Sequence, residues 1–263
     1  MLSSMDEEIL RAVGYYRYIT KSDILTLFFR KTLDTYARAK LSELSGKTDL
    51  DTHNYLCRFN LPAVHKRSQE KVYVLGSRGR RVLREMGLPV DWYFRPHKLK
   101  FLSYSYVLHN LILTRTMIAA DYWARHHPDY TLVDKRICYE LPGNVIPDGW
   151  LHFEEQRADG VYQHPITIEL DRGMEDKSKL RTHARGRINY LLSGEYEKIF
   201  KTDQATIAYI TTGQTPEYRE TRRKAMCLWI HELIQDMRLD KAWKSVFKVA
   251  SVEFTTLYDS SLY

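Results

Sequence analysis

Three acidic residues in the second half of the chain have the types and spacing of a divalent-metal site. Asp148 follows a proline, and Glu169 and Asp171 are separated by one residue. Strand side chains alternate between faces, so Glu169 and Asp171 share a face, and a hairpin would place Asp148 opposite them. Clustered carboxylates repel one another unless a cation or a proton relieves them, and hard oxygen ligands suit Mg²⁺. The pattern therefore predicts Mg²⁺ on Asp148 and Glu169, polarising a phosphodiester. The alternative is that all three are ordinary polar residues at strand ends.

A basic segment follows these acids and could hold a phosphate backbone against them. It carries six basic or imidazole side chains with no acid among them: Lys177, Lys179, Arg181, His183, Arg185 and Arg187. Arg181 and Arg185 are predicted DNA contacts. A solvated helix face explains the same charge equally well.

A second basic group lies near the N-terminus and indicates a polyanion partner. From residue 1 to residue 96 there are 17 Lys and Arg against 11 Asp and Glu, whereas the remainder has 23 against 22. Most of the excess falls between residues 58 and 84, where Glu70 is the single acid. Phosphate contact would require such a concentration of charge. The predicted contacts are Arg58, Lys66, Arg67, Lys71, Arg78, Arg80, Arg81 and Arg84.

The elements that must position this charge form a winged-helix pattern. Apolar periodicity predicts helices over 6–17, from about 22, and over 32–45, followed by strands over 55–59 and 71–75 and another helix. The segment Thr20-Lys21-Ser22-Asp23 has the form of a capping box. The third helix would enter a major groove with Thr35, Tyr36 and Arg38, while the wing lies on the backbone. The domain would cover residues 1–88, with a linker over 89–102.

The remainder, residues 103–263, predicts an α/β domain with a mixed central sheet. A long helix over 103–126 precedes strands over 131–141, 149–154 and 165–171, with a hairpin connection over 156–164. A helix over 177–192, a central strand over 205–211, a helix over 217–237 and a strand over 247–256 follow. The predicted fold class is thus α+β and α/β: an N-terminal winged helix followed by the mixed-sheet domain.

Composition places the protein among ordinary globular chains: 44% of its residues are hydrophobic and 28% charged, with a net charge of +7. No apolar run predicts a membrane span or a signal peptide. Three widely spaced cysteines argue against a disulfide framework or a zinc site and favour a reducing, cytoplasmic compartment.

These features in this order resemble the replication-relaxation family of plasmid and phage proteins. The resemblance rests on Tyr18-Ile19-Thr20, on Val72-Tyr73-Val74-Leu75 leading to Gly79 and Leu83, and on Pro147-Asp148. It continues through Glu169-Leu170-Asp171-Arg172-Gly173 and a helix with Lys179, Leu180 and Tyr190. It implies a DNA-binding protein of a mobile element.

The second domain also resembles the restriction-endonuclease-type fold, whose motif is Pro-Asp, a spacer, then Asp or Glu, any residue and Lys. In that motif Asp148 and Glu169 match the metal-binding acids, but Asp171 stands in place of the lysine. The resemblance implies that Lys177, Lys179 or Arg172 supplies the missing charge at a catalytic site, or that the fold persists without cleavage.

Two functions therefore stand open. One is a protein that binds double-stranded DNA in replication control or transcription, with the nuclease-like domain used for docking or homodimerisation. The other is a Mg²⁺-dependent DNA endonuclease targeted by its winged helix. A protein-interaction scaffold is a third, weaker fit to the same features.

Overall fold

The boundary between the two units of the chain lies inside a helix. The computed structural model describes residues 2–29, 34–47, 51, 53–60, 71–90, 92, 94–95, 103–137, 146–172, 175–213 and 215–252. The units are Met1–Ile118 and Ala119–Tyr263, whereas the sequence predicted a linker over 89–102. The difference arises because Thr114 and Arg115 of this helix make their hydrogen bonds to Tyr18 and Asp23 of the first unit.

The first unit has the order of elements expected of a winged helix. Its described residues form α1 (Ser4–Tyr16), β1 (Ile19–Thr20), α2 (Lys21–Phe28), α3 (Asp34–Ser45), β2 (Leu56–Asn60), β3 (Lys71–Leu75) and α4 (Ser77–Glu85), then the first part of α5 (Tyr104–His126). Strand β3 lies between β1 and β2 and pairs antiparallel with both.

Local sequence explains where α1 and α2 begin. Ser3 and Thr20 accept hydrogen bonds from the backbone N–H groups of Asp6 and Asp23, and those two acids accept hydrogen bonds from the cap backbone in return. Both are capping boxes, and the one at Thr20 confirms the prediction from sequence. Apolar side chains of the helices and strands then fill the core of the unit, with Ile9, Leu10, Val13, Ile24, Leu41, Leu44, Val72, Val74, Leu75 and Leu83 all buried.

Gly79 lets α4 approach the chain just before β2. A Cβ at this position would lie 2.2 Å from the carbonyl oxygen of Tyr55 and 2.8 Å from the Leu75 side chain. The same Tyr55 carbonyl accepts a hydrogen bond from the Gly76 N–H at 2.9 Å. The absence of a side chain at residue 79 therefore sets the position of α4 and of its arginines.

The second unit contains the predicted mixed sheet. After the last residues of α5 come β4 (Tyr130–Ile137), β5 (Gly149–Arg157), β6 (Gly160–Asp171), α6 (Lys177–Leu192), α7 (Glu195–Phe200), β7 (Thr206–Thr211), α8 (Pro216–Asp236), α9 (Trp243–Val246) and β8 (Phe247–Ser251). Within the described residues the sheet order is β4-β5-β6-β7-β8. The first three strands are antiparallel, and β7 and β8 continue the sheet in parallel. This arrangement confirms the predicted fold class, an α/β unit with a mixed sheet.

The hairpin between β5 and β6 is tighter than predicted. The sequence predicted a connection over 156–164, but Arg157 already pairs with Gly160 across a two-residue turn. Ala158 and Asp159 supply the turn, and β6 therefore runs over all 12 residues from Gly160 to Asp171.

Both faces of this sheet are covered. Helices α6 and α8 lie over one face, where Leu180, Ala184, Met226 and Ile230 pack with Tyr209 of β7. Glu169 pairs in register with Tyr209, so the acids of β6 point into this same covered face. On the other face Trp123 packs edge-on against Phe153 at 5.6 Å between ring centroids. None of the helices in the described ranges is long and apolar enough to cross a membrane.

Candidate functional site

The β5–β6 hairpin brings Asp148 beside the end of β6. Asp148 immediately precedes β5, and its Oδ2 accepts a hydrogen bond from the backbone N–H of Leu170 at 2.7 Å. The register of the two strands, Gly149 opposite Ile168, explains this contact. Asp148 and Glu169 are therefore neighbours, and the negative charge of Asp148 contributes to a raised pKa of the Glu169 carboxyl.

Glu169 is buried and forms an ion pair with Arg187. Its exposed fraction is 8%, and its Oε1 lies 2.7 Å from Nε and 2.5 Å from Nη2 of Arg187 on α6. Burial raises the pKa of Glu169 to about 7, although the Arg187 guanidinium acts in the opposite direction. The same Nη2 donates to the main-chain carbonyl of Ile146 at 3.0 Å.

Asp171 has a separate arginine partner. Arg222 of α8 donates to it from Nε at 2.7 Å and from Nη2 at 3.2 Å, and the hydroxyl of Thr211 donates at 3.1 Å. Asp171 is 1% exposed, so this carboxylate is enclosed by its partners. Helix α8 therefore supplies Asp171 with a cation of its own, distinct from the arginine that contacts Glu169.

The predicted Mg²⁺ site is not assembled in this arrangement. Across the described ranges no group of three or more His, Cys, Asp or Glu side chains is placed to hold a metal ion. A divalent ion bound to Glu169 would compete with the Arg187 guanidinium, which already contacts the Oε1 atom of Glu169. The donor set around Asp148 and Glu169 therefore does not fit Mg²⁺ as long as Arg187 occupies it.

Two basic side chains near the start of α6 pair with acids of α8. Lys177 lies 2.5 Å from Glu232 of α8, and Arg181 pairs with the same Glu232 and with Asp236. Lys177 is thus directed to α8 and not to the predicted catalytic acids. Arg185 is exposed, as the prediction of a DNA contact requires.

Lys179 is the helix lysine that lies within electrostatic reach of Asp148. Its Nζ pairs with Glu175 at 2.9 Å, and this hydrogen bond, with smaller contributions from Asp176 and Asp148, raises the pKa of Lys179. Its side chain is 58% exposed. Arg172, the other predicted substitute for the lysine, is half-buried just after β6.

Sequence reasoning placed Arg187 on a phosphate-binding face, and this was wrong. Leu180, Ala184, Arg187 and Ile188 form the buried side of α6. The helical spacing of these residues was a usable signal, because a single arginine on an apolar helix face needs a buried acid. The pairing of Arg222 with Asp171 had no such signal in the sequence.

The exposed face of α3 in the first unit carries the predicted base-reading residues. Thr35, Tyr36 and Arg38 are exposed, and Tyr36 packs edge-on against Phe29 at 5.9 Å between ring centroids. Arg38 forms an ion pair with Asp34 one turn earlier, at 2.6 Å. This face of α3 therefore exposes a hydroxyl group, an aromatic ring and an arginine whose charge is compensated by Asp34.

Helix α4 carries three exposed arginines of the predicted DNA-binding set. Arg78, Arg81 and Arg84 are exposed, and the Arg78 guanidinium lies 4.2 Å from the centroid of the Tyr55 ring. Arg81 Nε lies 3.9 Å from the Glu85 carboxylate on the same helix. Arg80 is half-buried, and its Nε donates a hydrogen bond to the Val90 carbonyl at 3.2 Å. This contact within the first unit gives Arg80 a structural role.

The remaining predicted DNA contacts of the first unit are Arg58, Lys66, Arg67 and Lys71, and they differ in their surroundings. Arg58 donates to the Ser45 hydroxyl at 3.2 Å and to the Lys47 carbonyl at 3.1 Å, which attaches it to the C-terminal end of α3. Lys71 is half-buried at the start of β3. Lys66 and Arg67, the predicted wing contacts, lie outside the described residues.

Comparison with known proteins identifies the family of this chain. A family model described as replication-relaxation matches residues 10–202, which covers most of both units. The chain belongs to the replication-relaxation family. No curated protein matches it. One similar solved structure is that of restriction endonuclease FokI bound to DNA, which aligns with 97% of this replication-relaxation protein at 11% identity and a TM-score of 0.30. This chain spans 43% of the length of that one.

Proposed function

We propose that this replication-relaxation protein binds double-stranded DNA through its first unit, as a winged-helix protein of a mobile element acting in replication control or transcription. Membership of the family supports a DNA-related role. The second unit would then serve for docking or homodimerisation, since Glu169 and Asp171 each form an ion pair with an arginine of the same unit.

The observation that carries this proposal is the exposed arginine surface of α4. Arg78, Arg81 and Arg84 project from a short helix that contains one acid, Glu85. Arginines placed in this way suit a phosphate backbone, because guanidinium groups make charge-assisted hydrogen bonds to phosphate oxygens and release condensed counterions. The stacking of Arg78 on Tyr55 restrains its side chain before any ligand arrives, which lowers the entropy cost of such a contact.

Helix α3 would supply base readout. In a winged helix the third helix enters the major groove, where hydroxyl side chains can bond base edges and a Thr methyl can contact a thymine methyl. Thr35 and Tyr36 lie in the first turn of α3, which is the end that reaches base edges in related docking geometries. Arg58 holds the opposite end of α3 and would position the helix rather than read sequence.

The alternative function, a Mg²⁺-dependent endonuclease, would need the Asp148–Glu169 pair to accept a metal. The Arg187 contact opposes it. Incubating the protein with supercoiled plasmid and Mg²⁺ or Mn²⁺ tests it directly: nicking that is lost in an Asp148→Ala, Glu169→Ala variant would favour the endonuclease over our proposal.

Fluorescence anisotropy with labelled duplex DNA tests the binding surface. We expect the Arg78→Gln, Arg81→Gln, Arg84→Gln variant to bind more weakly and to lose up to about 3 from the slope of log K against log salt, at roughly 0.9 per phosphate contact. A charge-matched control replaces three exposed lysines of the second unit with Gln: Lys241, Lys244 and Lys248. If the control loses as much affinity as the α4 variant, α4 is not the DNA-binding surface.

A further inference from the structure

Arg187 lies at the junction of the two segments that carry the nuclease-like acids. Its Nε and Nη2 both contact Oε1 of Glu169 on β6, at 2.7 and 2.5 Å. Its Nη2 also donates to the carbonyl of Ile146, two residues before Asp148, at 3.0 Å. One guanidinium therefore ties the end of β6 to the segment that leads into β5.

The oxygen atoms around this guanidinium are of the kind that a hard cation prefers. They are the Glu169 carboxylate and the Ile146 main-chain carbonyl, with the Asp148 carboxylate close enough to raise the pKa of Glu169. Tyr209, the register partner of Glu169 on β7, adds a buried hydroxyl with no hydrogen-bond partner among the described residues. A positive charge here compensates the ionised Glu169 carboxylate, which would otherwise be costly to bury.

We propose that Arg187 is the built-in cation of this site: it occupies the place that a divalent metal would take between Asp148 and Glu169, and it keeps the second unit closed to Mg²⁺. Arg187 is nine-tenths buried and held by Glu169 and by the Ile146 carbonyl, so it is a fixed part of the fold. This role concerns the second unit alone, and it holds whether or not the first unit binds DNA.

The role predicts a gain of metal binding when the guanidinium is removed. Arg187→Ala would leave the Glu169, Asp148 and Ile146 oxygens around an open space with no compensating charge. We expect Arg187→Ala to acquire one saturable Mn²⁺ site that Mg²⁺ competes for, at least about tenfold tighter than any binding by the wild-type protein. Titration at pH 8 with detection of free Mn²⁺ by electron paramagnetic resonance measures this directly.

Two variants make the titration specific. Arg185→Ala removes an exposed arginine from the same helix and should bind Mn²⁺ as the wild-type protein does. The double variant Arg187→Ala, Glu169→Gln should lose the new site, because the carboxylate that would hold the ion is replaced by an amide. Retention of the site in the double variant would place the ion elsewhere and overturn the proposal.

Thermal unfolding provides a second readout that does not depend on affinity alone. We expect Arg187→Ala to melt below the wild-type protein and to recover by about 4 °C or more when millimolar Mg²⁺ is added, since a bound ion stabilises only the folded state. Arg187→Met, which retains much of the side-chain volume without the charge, should show the same recovery.

If the Arg187 variants fail to fold, Mn²⁺ titrations of the wild-type protein and of Glu169→Gln test the proposal. A saturable Mn²⁺ site in the wild-type chain that Glu169→Gln abolishes would show that the metal displaces Arg187 without difficulty, and the proposal would be wrong. Equal Mn²⁺ titrations of wild type and Glu169→Gln support a site that is closed by its own arginine.

Discussion

Arg115 of α5 is buried against Asp23 of α2, with 3.0 Å between Nε and Oδ1, and both side chains are almost fully enclosed. Asp23 is also the acid of the capping box at Thr20, whose backbone N–H it accepts at 2.7 Å. The Arg115 guanidinium further approaches the Thr20 hydroxyl at 3.4 Å. One ion pair therefore joins the start of α2 to the first part of α5 within the first unit.

Removing Arg115 should strongly destabilise this unit. In Arg115→Ala the Asp23 carboxylate would remain buried without its cation, and we expect the free energy of unfolding to fall by about 3 to 5 kcal/mol. Urea denaturation followed by circular dichroism measures the change. Arg11→Ala, at an exposed position of α1, is the control and should change stability by less than about 0.5 kcal/mol. A loss below about 1 kcal/mol for Arg115→Ala would mean that the pair contributes little.

Gly79 and Gly186 should respond in opposite directions to replacement by alanine. At Gly79 the new Cβ would meet the Tyr55 carbonyl at 2.2 Å, so Gly79→Ala should destabilise the protein by about 1 to 3 kcal/mol and displace α4. At Gly186, in the middle of α6, no described atom outside the adjoining helix backbone lies within 4 Å of the new Cβ, so Gly186→Ala should stabilise by roughly 0.5 to 1 kcal/mol. Thermal melts of the two variants side by side provide the comparison, and equal shifts would contradict it.

The stability of the protein should carry a pH-dependent contribution from Glu169. Its pKa in the folded state is raised to about 7 by burial, so the native protein holds a proton at pH values where the unfolded chain has lost it. Stability from this group is therefore highest below pH 4.5 and falls as the pH rises to about 7. At about 1.4 kcal/mol per pH unit the decline amounts to roughly 3 kcal/mol.

Glu169→Gln isolates this contribution because Gln does not titrate. We expect the difference in unfolding free energy between Glu169→Gln and wild type to grow in favour of the variant between pH 5 and pH 7.5. Denaturant titrations at intervals across that range would reveal it. A difference that is constant with pH would show that Glu169 titrates at its ordinary pKa in the folded protein.

Substitutions on α3 and on α4 should have separable effects on DNA binding. Thr35→Ala with Tyr36→Ala removes groups proposed to face base edges, so it should reduce the ratio of specific to non-specific affinity and leave the salt slope unchanged. The α4 arginine variant should lower both affinities and the slope. Anisotropy titrations against a selected duplex and an unrelated duplex, at several salt concentrations, separate the two. A changed salt slope for the α3 variant would indicate that α3 contacts phosphates instead.

Several elements of the fold were predictable because their signals are local. The capping box at Thr20 and Asp23 spans four residues, and helix α6 begins and ends where its periodicity predicts, at Lys177 and Leu192. The hairpin that brings Asp148 to β6 follows from two neighbouring strands and a tight turn. The extent of β6 was missed, because residues 160–164 were predicted to belong to the connection although the pairing with β5 continues through them.

The site itself depended on contacts between distant parts of the chain. Arg187 meets Glu169 across 18 residues, Arg222 meets Asp171 across 51, and Arg115 meets Asp23 across 92. Most helices and strands could be predicted from local patterns, because capping and periodicity act over a few residues. Which arginine compensates which acid became visible in the folded chain, because a buried carboxylate takes its cation from whichever helix packs over it.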